Sequence, residues 1–416
     1  MRNLTPPWTM LRLSLLLLVL PVLVVVATTT TTTTTTTSSL SDDDFHNWLS
    51  VHSKSYSNNT SNLDEWKHRF SIFQENARLV QRHNDAFAKG ETSFTMTIDG
   101  PFADLTDQEF TQLYLMDSQD CSATHRSSGK LHTASIDSTI DSGPYDIDWR
   151  TKGILTAVKN QGACGSCWTF STTGCLEAHT CLAQNRDCTH WLGLAEQQLV
   201  DCAQDFNNHG CNGGLPSQAY EYIKYNGGID LETSYLYVAN KTDGTCKAKD
   251  FTIGAQVAGV YNITSRDEDD LMHAIATLGP VSIAYQVSPD FRLYQHGVYD
   301  SYNATTKKIM CKSDNHHVNH AVVAVGMGQT AKTKDLPVTP FYIVRNSWGT
   351  SWGMEGHFWM KRGENLCGVS DCASFPLVPK TKQKDGQDAA GGTSAETTTK
   401  IITTTHNAAL LRGSSE

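Results

Sequence analysis

Apolar and polar positions recur with two different periods along this chain, and the period changes between its two halves. Residues 167–183 carry small or apolar side chains at spacings of three and four, and residues 194–202 are also helical in character. Short apolar runs follow at 320–326, 341–346 and 357–361, and these predict strands. Helices in one part of the chain and strands in another indicate an α+β fold with two lobes.

A long amphipathic helix is also predicted within residues 42–116, which have a soluble, helical composition. Six side chains there step by four, four, three, four and four residues, so they share one helix face about 30 Å long. They are Glu65, Arg69, Phe73, Asn76, Val80 and Asn84. An ordinary surface helix is the simpler interpretation of this spacing.

The two ends of the chain differ in composition from the rest. An apolar stretch at 13–27 follows two arginines and would reach only about 22 Å as a helix, short of the roughly 30 Å membrane core. Residues 1–27 are therefore predicted to be a cleaved signal peptide, with an uncleaved anchor as the alternative. Residues 28–41 contain a run of threonines and form a low-complexity spacer, and residues 379–416 are predicted to be a disordered extension.

Composition and charge narrow the class of protein. A chain of 416 residues with 39% hydrophobic content can bury a real core. The formal charge of -10, without a basic run, argues against a nucleic-acid partner. Twelve cysteines behind a signal peptide indicate an oxidising compartment.

Cys167 is the candidate nucleophile, because it lies where a glycine-containing turn enters a helix. A thiol attacks a peptide carbonyl as its thiolate, so its pKa must be lowered. The helix N-terminus favours the anion, and His320, at the head of an apolar strand, is predicted to supply an imidazolium partner.

Asn346 ends the next apolar strand, where its side-chain oxygen would accept the histidine N–H and fix the tautomer of the ring. Trp348 is predicted to screen that bond from water and to line the substrate site. Gln161 and the Cys167 backbone N–H are predicted to donate to the oxyanion that forms during attack.

The segment Gln161-Gly-Ala-Cys-Gly-Ser-Cys-Trp-Thr169 resembles the signature of the papain-like cysteine proteases. Residues 194–214 and 215–223 are similar to the cathepsin H branch of that family. The resemblance implies a two-lobed peptidase domain at 143–378, with a helical left lobe, a β-barrel-like right lobe and the active site in the cleft between them. It implies no cofactor and no metal.

The same resemblance makes residues 42–116 an inhibitory propeptide of the I29 type, with Val80 where isoleucine is usual. One departure lies at Asp99-Gly-Pro-Phe102, where the family usually has an asparagine two residues before the phenylalanine. That departure leaves the tuning of pH-dependent activation open, while the propeptide itself remains the expectation.

Residues 117–124 are similar to the octapeptide that cathepsin H retains after processing, here called the mini-chain. If cleavage after Thr124 frees its carboxylate, that group would accept hydrogen bonds from a substrate ammonium, and the peptide would block longer substrates. This predicts an aminopeptidase with some endopeptidase activity, made as a zymogen. In the alternative, the octapeptide is discarded with the linker 125–142 and the enzyme is an endopeptidase of cathepsin L type. A non-catalytic papain-fold binding protein is disfavoured, because both Cys167 and His320 are present.

Cysteine pairing cannot come from sequence alone. The resemblance implies the pairs Cys164–Cys211, Cys202–Cys246, Cys311–Cys367 and the mini-chain bridge Cys121–Cys372. Spacing favours Cys181–Cys188, with Cys175 a free buried thiol, although pairing of Cys175 with either stays open. A zinc site formed by these last three cysteines, or a metal on His316, His317 and His320, lacks the required spacing.

Other family features map onto single positions. Gly213 and Gly214 would let the substrate backbone approach closely, with a plain turn as the simpler interpretation. Glycosylation sequons lie at Asn58, Asn59, Asn240, Asn262 and Asn303, of which Asn262 is favoured. The expected destination is the lysosome or vacuole, or secretion. The expected partners are peptide and protein substrates, the enzyme's own propeptide and cystatin-type inhibitors, and the enzyme is expected to be a monomer.

Overall fold

The computed structural model describes residues 40–56, 63–126, 129–132, 146–239, 245–248, 252–332 and 337–379. The predicted signal peptide, nearly all of the threonine-rich spacer and all but the first residue of the C-terminal extension lie outside these residues. So do the sequons at Asn58, Asn59 and Asn240.

The helices of the described chain are α1 (Asp42–Val51), α2 (Leu63–Ala88), α3 (Asp107–Tyr114), α4 (Ser122–Arg126), α5 (Cys167–Gln184), α6 (Glu196–Cys202), α7 (Pro216–Asn226) and α8 (Glu268–Thr277). The strands are β1 (Phe94–Met96), β2 (Lys130–Leu131), β3 (Ile147–Asp148), β4 (Ile229–Asp230), β5 (Ile253–Ala255), β6 (Gly259–Asn262), β7 (Val281–Tyr285), β8 (Tyr294–Tyr299), β9 (Tyr302–Asn303), β10 (Lys308–Ile309), β11 (His320–Gln329), β12 (Pro340–Arg345), β13 (His357–Lys361) and β14 (Ser374–Leu377). The predicted α+β class and the positions of the main elements are confirmed.

The N-terminal segment folds on its own small aromatic core. Phe45 and Trp48 of α1 pack against Trp66 and Phe73 of α2. The predicted common face of α2 also has a structural role, since the Asn76 amide donates to the backbone carbonyls of Ala103 and Leu105, in the loop between β1 and α3, at 2.8 and 3.0 Å. Hydrogen bonds from a buried amide fix this loop against the helix, and an ordinary surface helix does not need them.

Helix α5 is the central element of the left lobe and is buried around nearly its whole circumference. The sequence indicated a single packed face, but α5 contacts α6 and α7 within its lobe and β11 of the other lobe. The Ser171 hydroxyl donates to the Val322 carbonyl at 2.7 Å across this junction. A helix enclosed on all sides shows little amphipathic contrast, because every face meets protein.

The right lobe is built on a ten-stranded sheet, counted over the described residues, with nine strands in the order β1-β8-β13-β12-β11-β7-β14-β6-β2 and β3 paired to β11. Antiparallel pairing places Val323 opposite Arg345, and Arg345 opposite His357. His320 lies opposite Tyr285 on β7. The catalytic candidates are therefore placed by adjacent strands of one sheet: His320 begins β11, and Asn346 directly follows β12.

Two strands of this sheet come from outside the predicted peptidase domain. Strand β1 of the N-terminal segment pairs with β8, with Phe94 opposite Gly297. Strand β2, in the predicted excised linker, runs parallel to β6, with Lys130 opposite Tyr261. Among the described helices, none has both the length and the apolar character needed to cross a membrane.

Candidate active site

Cys167 is the first residue of α5, and its side chain is completely buried. The Ala321 backbone N–H donates to its Sγ at 3.3 Å. The thiol therefore lies at the junction between the helical lobe and the first residues of β11, as the two-lobed prediction requires.

The orientation of His320 is set by Asn346, which Ser347 holds in turn. Its Nε2 lies 2.8 Å from Asn346 Oδ1, and the Ser347 N–H donates to the same oxygen at 2.8 Å. Because that oxygen only accepts, Nε2 carries the ring hydrogen and Nδ1 presents a lone pair. Within the described chain Nδ1 has no hydrogen-bond partner, so it is the nitrogen available to act as a base.

Trp348 covers the histidine–asparagine bond. Its ring stacks on His320 with 4.7 Å between centroids, and its side chain is buried. Phe102 and Phe110 of the N-terminal segment pack edge-on against the Trp348 ring, with 5.5 and 5.2 Å between ring centroids. The indole thus covers the bond in this structure, and the surface predicted to face substrate is occupied by the N-terminal segment.

The expected thiolate and imidazolium are not favoured in this closed form. Burial raises the pKa of the Cys167 thiol to about 12. Burial also lowers the pKa of His320 to about 4, against the opposing hydrogen bond from Asn346. Removing both groups from water penalises their charged forms more than the helix terminus favours the anion. The pair is therefore neutral while the N-terminal segment covers it.

Gln161 already uses its predicted donor. Its Nε2 donates to the Tyr114 carbonyl at 2.9 Å and to the Cys164 carbonyl at 2.8 Å. The Ser347 hydroxyl donates to its Oε1 at 2.7 Å and fixes the amide orientation. A carbonyl of the N-terminal segment thus occupies the donor that was predicted to bind the oxyanion.

The chain continues from Tyr114 along the cleft and bonds to both lobes. The Met116 N–H donates to Asn319 O at 3.0 Å, and the Gln119 N–H donates to Val318 O at 2.8 Å. On the other side the Asp117 N–H donates to Asn212 O at 2.9 Å.

Gly213 borders this segment and Gly214 does not. Gly213 has φ 126°, and a Cβ there would lie 2.9 Å from the Met116 Cβ. Glycine is required at that position by both conformation and close approach. A Cβ on Gly214 would instead meet Asn208 and Trp168 inside the left lobe.

Thr124 lies buried between α7 and β6. Its hydroxyl is 3.0 Å from the Ser217 hydroxyl, and its carbonyl accepts from Asn262 Nδ2 at 2.8 Å. Asn262, the favoured glycosylation position, is 3% exposed here. Its role as a glycosylation site stays a prediction, as does that of the half-buried Asn303.

Five disulfides join Cys121–Cys372, Cys164–Cys211, Cys181–Cys188, Cys202–Cys246 and Cys311–Cys367. Cys167 and Cys175 are the free cysteines of the described chain, and both are buried. These are the pairs that the sequence analysis favoured.

Two supporting residues escaped sequence reasoning. Ser347 orients both Asn346 and Gln161. Its position directly after Asn346 could have identified it from the sequence. Tyr237 donates to the Gln161 carbonyl at 2.6 Å. No local pattern marks Tyr237, because its partner is far away in sequence.

A buried thiol that accepts from the backbone next to His320, together with the His320–Asn346 couple and a cleft closed by the chain's own N-terminal segment, is the arrangement of a cysteine protease zymogen. The chain belongs to the papain family: the model for "Papain family cysteine protease" matches residues 143–377. The "Cathepsin propeptide inhibitor domain (I29)" matches residues 45–110. The N-terminal segment is therefore an inhibitory propeptide that acts within its own chain.

Similar proteins and structures agree with this assignment. "Thiol protease aleurain" of Arabidopsis thaliana is 46% identical over 78% of this chain and 82% of its own length. "Pro-cathepsin H" of Bos taurus is 44% identical over 80% of this chain and 89% of its own. The solved procathepsin L2 of Tenebrio molitor larval midgut superimposes with a TM-score of 0.68 at 31% identity, covering 81% of this chain and 99% of that one.

Proposed function

We propose that this papain-family protease acts mainly as an aminopeptidase, with some endopeptidase activity, and that residues 117–124 stay attached to the mature enzyme. The observation that carries this proposal is the disulfide between Cys121 and Cys372, which ties the mini-chain to the peptidase domain. After cleavage before Asp117, this bond would keep the peptide beside the cleft.

Peptide hydrolysis uses the groups assembled at the lobe junction. Once the propeptide leaves, water reaches Cys167 and His320, and the thiol proton passes to His320 Nδ1. The thiolate attacks the carbonyl carbon of the substrate. The substrate carbonyl oxygen, which becomes the oxyanion, takes the position near Gln161 that the Tyr114 carbonyl vacates. Such a donor contributes about 3 kcal/mol to lowering the barrier. His320 then gives its proton to the leaving amine, and water hydrolyses the acyl-enzyme.

The mini-chain would restrict which bonds are cut. Cleavage after Thr124 creates a carboxylate that can bind the ammonium of a substrate N-terminus by charge-assisted hydrogen bonds. In the zymogen Thr124 is buried against Ser217 and Asn262. The cleaved end therefore has to leave this position and turn about the Cys121 bridge before it meets substrate.

The experiment compares two fluorogenic peptides, one with a free and one with a blocked amino terminus, after acid processing. The wild-type enzyme should prefer the free amine. The variant Cys121→Ser/Cys372→Ser should lose that preference while it still cleaves the blocked peptide. Cys181→Ser/Cys188→Ser, which removes the bridge closing a separation of 7 residues, is the matched control.

Equal cleavage of both peptides by the wild-type enzyme would instead favour the endopeptidase of cathepsin L type, the kind named in the solved structure from Tenebrio molitor. Alkylation of Cys167 should abolish both activities. Hydrolysis that survives alkylation would exclude this site as the source of activity.

The proposal includes a location and partners. A signal peptide, disulfides and sequons support a secretory route that ends in an acidic lysosome or vacuole, or outside the cell. The mature enzyme is proposed to be a monomer that cystatin-type inhibitors bind in the cleft vacated by the propeptide.

A further inference from the structure

Tyr237 bridges the two ends of the segment that leads into the nucleophile. Its hydroxyl donates to the Gln161 carbonyl at 2.6 Å and lies 2.6 Å from the Ser166 hydroxyl. Its ring packs edge-on against Phe170, with 4.9 Å between centroids. One phenol hydroxyl therefore fixes the spacing between Gln161 and the residue before Cys167.

This spacing matters because residues 161–167 carry both proposed oxyanion donors, the Gln161 amide and the Cys167 backbone N–H. The segment is also held by the Gln161 N–H, which donates to Ser347 O at 2.8 Å, by the Gln161 side-chain contacts described above, and by the Cys164–Cys211 disulfide. Donors stabilise a transition state in proportion to how well they are placed before the reaction.

We propose that Tyr237 is a positioning residue for the oxyanion hole, and that Glu232, acting as a carboxylic acid against Glu196, holds Tyr237 in place. This inference rests on the oxyanion role proposed above for Gln161. It does not depend on whether the mini-chain is retained.

Glu232 is joined to Tyr237 by one oxygen and faces a second carboxylate with the other. Its Oε1 accepts the Tyr237 N–H at 2.9 Å. Its Oε2 and the Glu196 Oε2 are both buried, and neither accepts a hydrogen bond from a donor among the described residues. The Glu196 carboxyl group lies against that of Glu232. A proton on Glu232 satisfies both oxygens at once, whereas two carboxylates would repel each other.

Within the described part of the chain, no lysine, arginine or histidine forms an ion pair with Glu232. Lys159 Nζ donates to Glu196 Oε1 at 2.6 Å, to Glu177 Oε1 at 3.1 Å and to the Leu194 carbonyl at 3.0 Å, so its three hydrogens are used. The buried guanidinium of Arg345 faces Glu177 and Glu196. Burial, and after it the charge of Glu196, raises the pKa of Glu232 to about 8.

Protonated Glu232 therefore stabilises the fold at acidic pH, and this stabilisation is lost at alkaline pH. A carboxyl group whose pKa is raised on folding contributes stability that is complete below its unfolded value, 4.5, and is lost as pH rises towards about 8. Deprotonation would place Glu232 and Glu196 in repulsion and loosen the contact to Tyr237.

The first test compares Tyr237→Phe with Tyr235→Phe in the processed enzyme. Tyr235 donates to Asp201 at 2.7 Å, away from the 161–167 segment, and serves as the control. Tyr237→Phe should lower kcat by roughly tenfold or more, because a misplaced group costs up to about 100-fold. KM should change little.

Alkylation of Cys167 by iodoacetamide separates the oxyanion hole from the thiol, since this displacement forms no oxyanion. Tyr237→Phe should keep the wild-type alkylation rate within about twofold, the level of a minor perturbation. The positioning role would be overturned if Tyr237→Phe had the same kcat as Tyr235→Phe. It would also be overturned if the alkylation rate of Tyr237→Phe fell by the same factor as its kcat. The proposed function fails separately, by equal cleavage of free and blocked peptides.

The second test uses Glu232→Gln, whose amide can donate to Glu196 and still accept from Tyr237 but has no proton to lose near pH 8. The half-life of inactivation at pH 5 divided by that at pH 8 should be at least about threefold smaller in Glu232→Gln than in the wild-type enzyme. The exposed Glu364→Gln should leave the wild-type ratio unchanged. An unchanged ratio in Glu232→Gln would overturn the role of Glu232.

Discussion

The Thr124 carbonyl accepts a hydrogen bond of 2.8 Å from the same Asn262 nitrogen to which a glycan would be attached. Asn262 is 3% exposed in this arrangement. A sugar on that nitrogen has no room unless Thr124 moves away. Glycosylation of Asn262 therefore implies that α4 is undocked in the modified protein.

Ser217→Ala tests how firmly Thr124 is docked, because it removes the hydroxyl contact and leaves the sequon intact. The loss should cost about 1 kcal/mol and raise the fraction of open α4 roughly fivefold. In a Cys167→Ala zymogen, an added protease should cut within α4 faster by the same factor. The exposed Ser234→Ala is the control, and equal cutting of both variants would contradict the docking.

Asp107→Asn should weaken the propeptide where it meets the right lobe. Arg292, 2% exposed, donates to Asp107 and at 2.8 Å to Asn76, so it binds two propeptide residues. Asp107 is 62% exposed, and solvent screening limits the expected cost to about 1 kcal/mol. Autoactivation at a fixed acidic pH should be roughly fivefold faster. Asp85→Asn, on the exposed face of α2, should activate at the wild-type rate; a similar acceleration there would point to general charge loss.

His320 should make opening of the closed zymogen pH-dependent. Burial lowers its pKa to about 4 from the ordinary value of 6.5, so the opened form takes up a proton that the closed form excludes. The closed form therefore loses stability as pH falls from 6.5 towards 4, by up to about 1.4 kcal/mol per pH unit.

Hydrogen exchange of the Met116 and Gln119 amides measures this opening in Cys167→Ala and in Cys167→Ala/His320→Gln. The double variant should show a smaller loss of protection on acidification. Identical pH dependence in the two proteins would assign the acid response to other groups.

Lys159→Met should destabilise the fold strongly. The Glu177 and Glu196 side chains are both 1% exposed, and the substitution removes the ammonium that pairs with both of them. Loss of one partner of a buried ion pair typically costs about 3–5 kcal/mol. Lys361→Met, which removes an exposed pair with Glu364 at 3.0 Å, should cost less than about 1 kcal/mol. Urea unfolding measures both, and similar costs would show that burial of the network is unimportant.

Local patterns in the sequence were sufficient for the main helices and strands around the site and for the candidate catalytic residues. The spacing around Cys167 predicts a helix because side chains three and four apart share a face, and the structure begins α5 at that residue. The short apolar run that begins at His320 predicts a buried strand, again from neighbouring residues alone, although β11 continues to Gln329. The family resemblance supplied the pairing of Cys121 with Cys372, which no spacing could.

The sequence by itself pointed to the candidate nucleophile, the candidate base and the propeptide helix, because each depends on residue types and periods within one short segment, and to the α+β class through the change of period along the chain. Only the tertiary structure decided that Cys167 and His320 are neutral beneath the propeptide, that β2 joins the sheet and that Tyr237 supports Gln161. Those features depend on burial and on contacts between segments distant in the chain, and the charge state of a buried group depends on everything that excludes water from it.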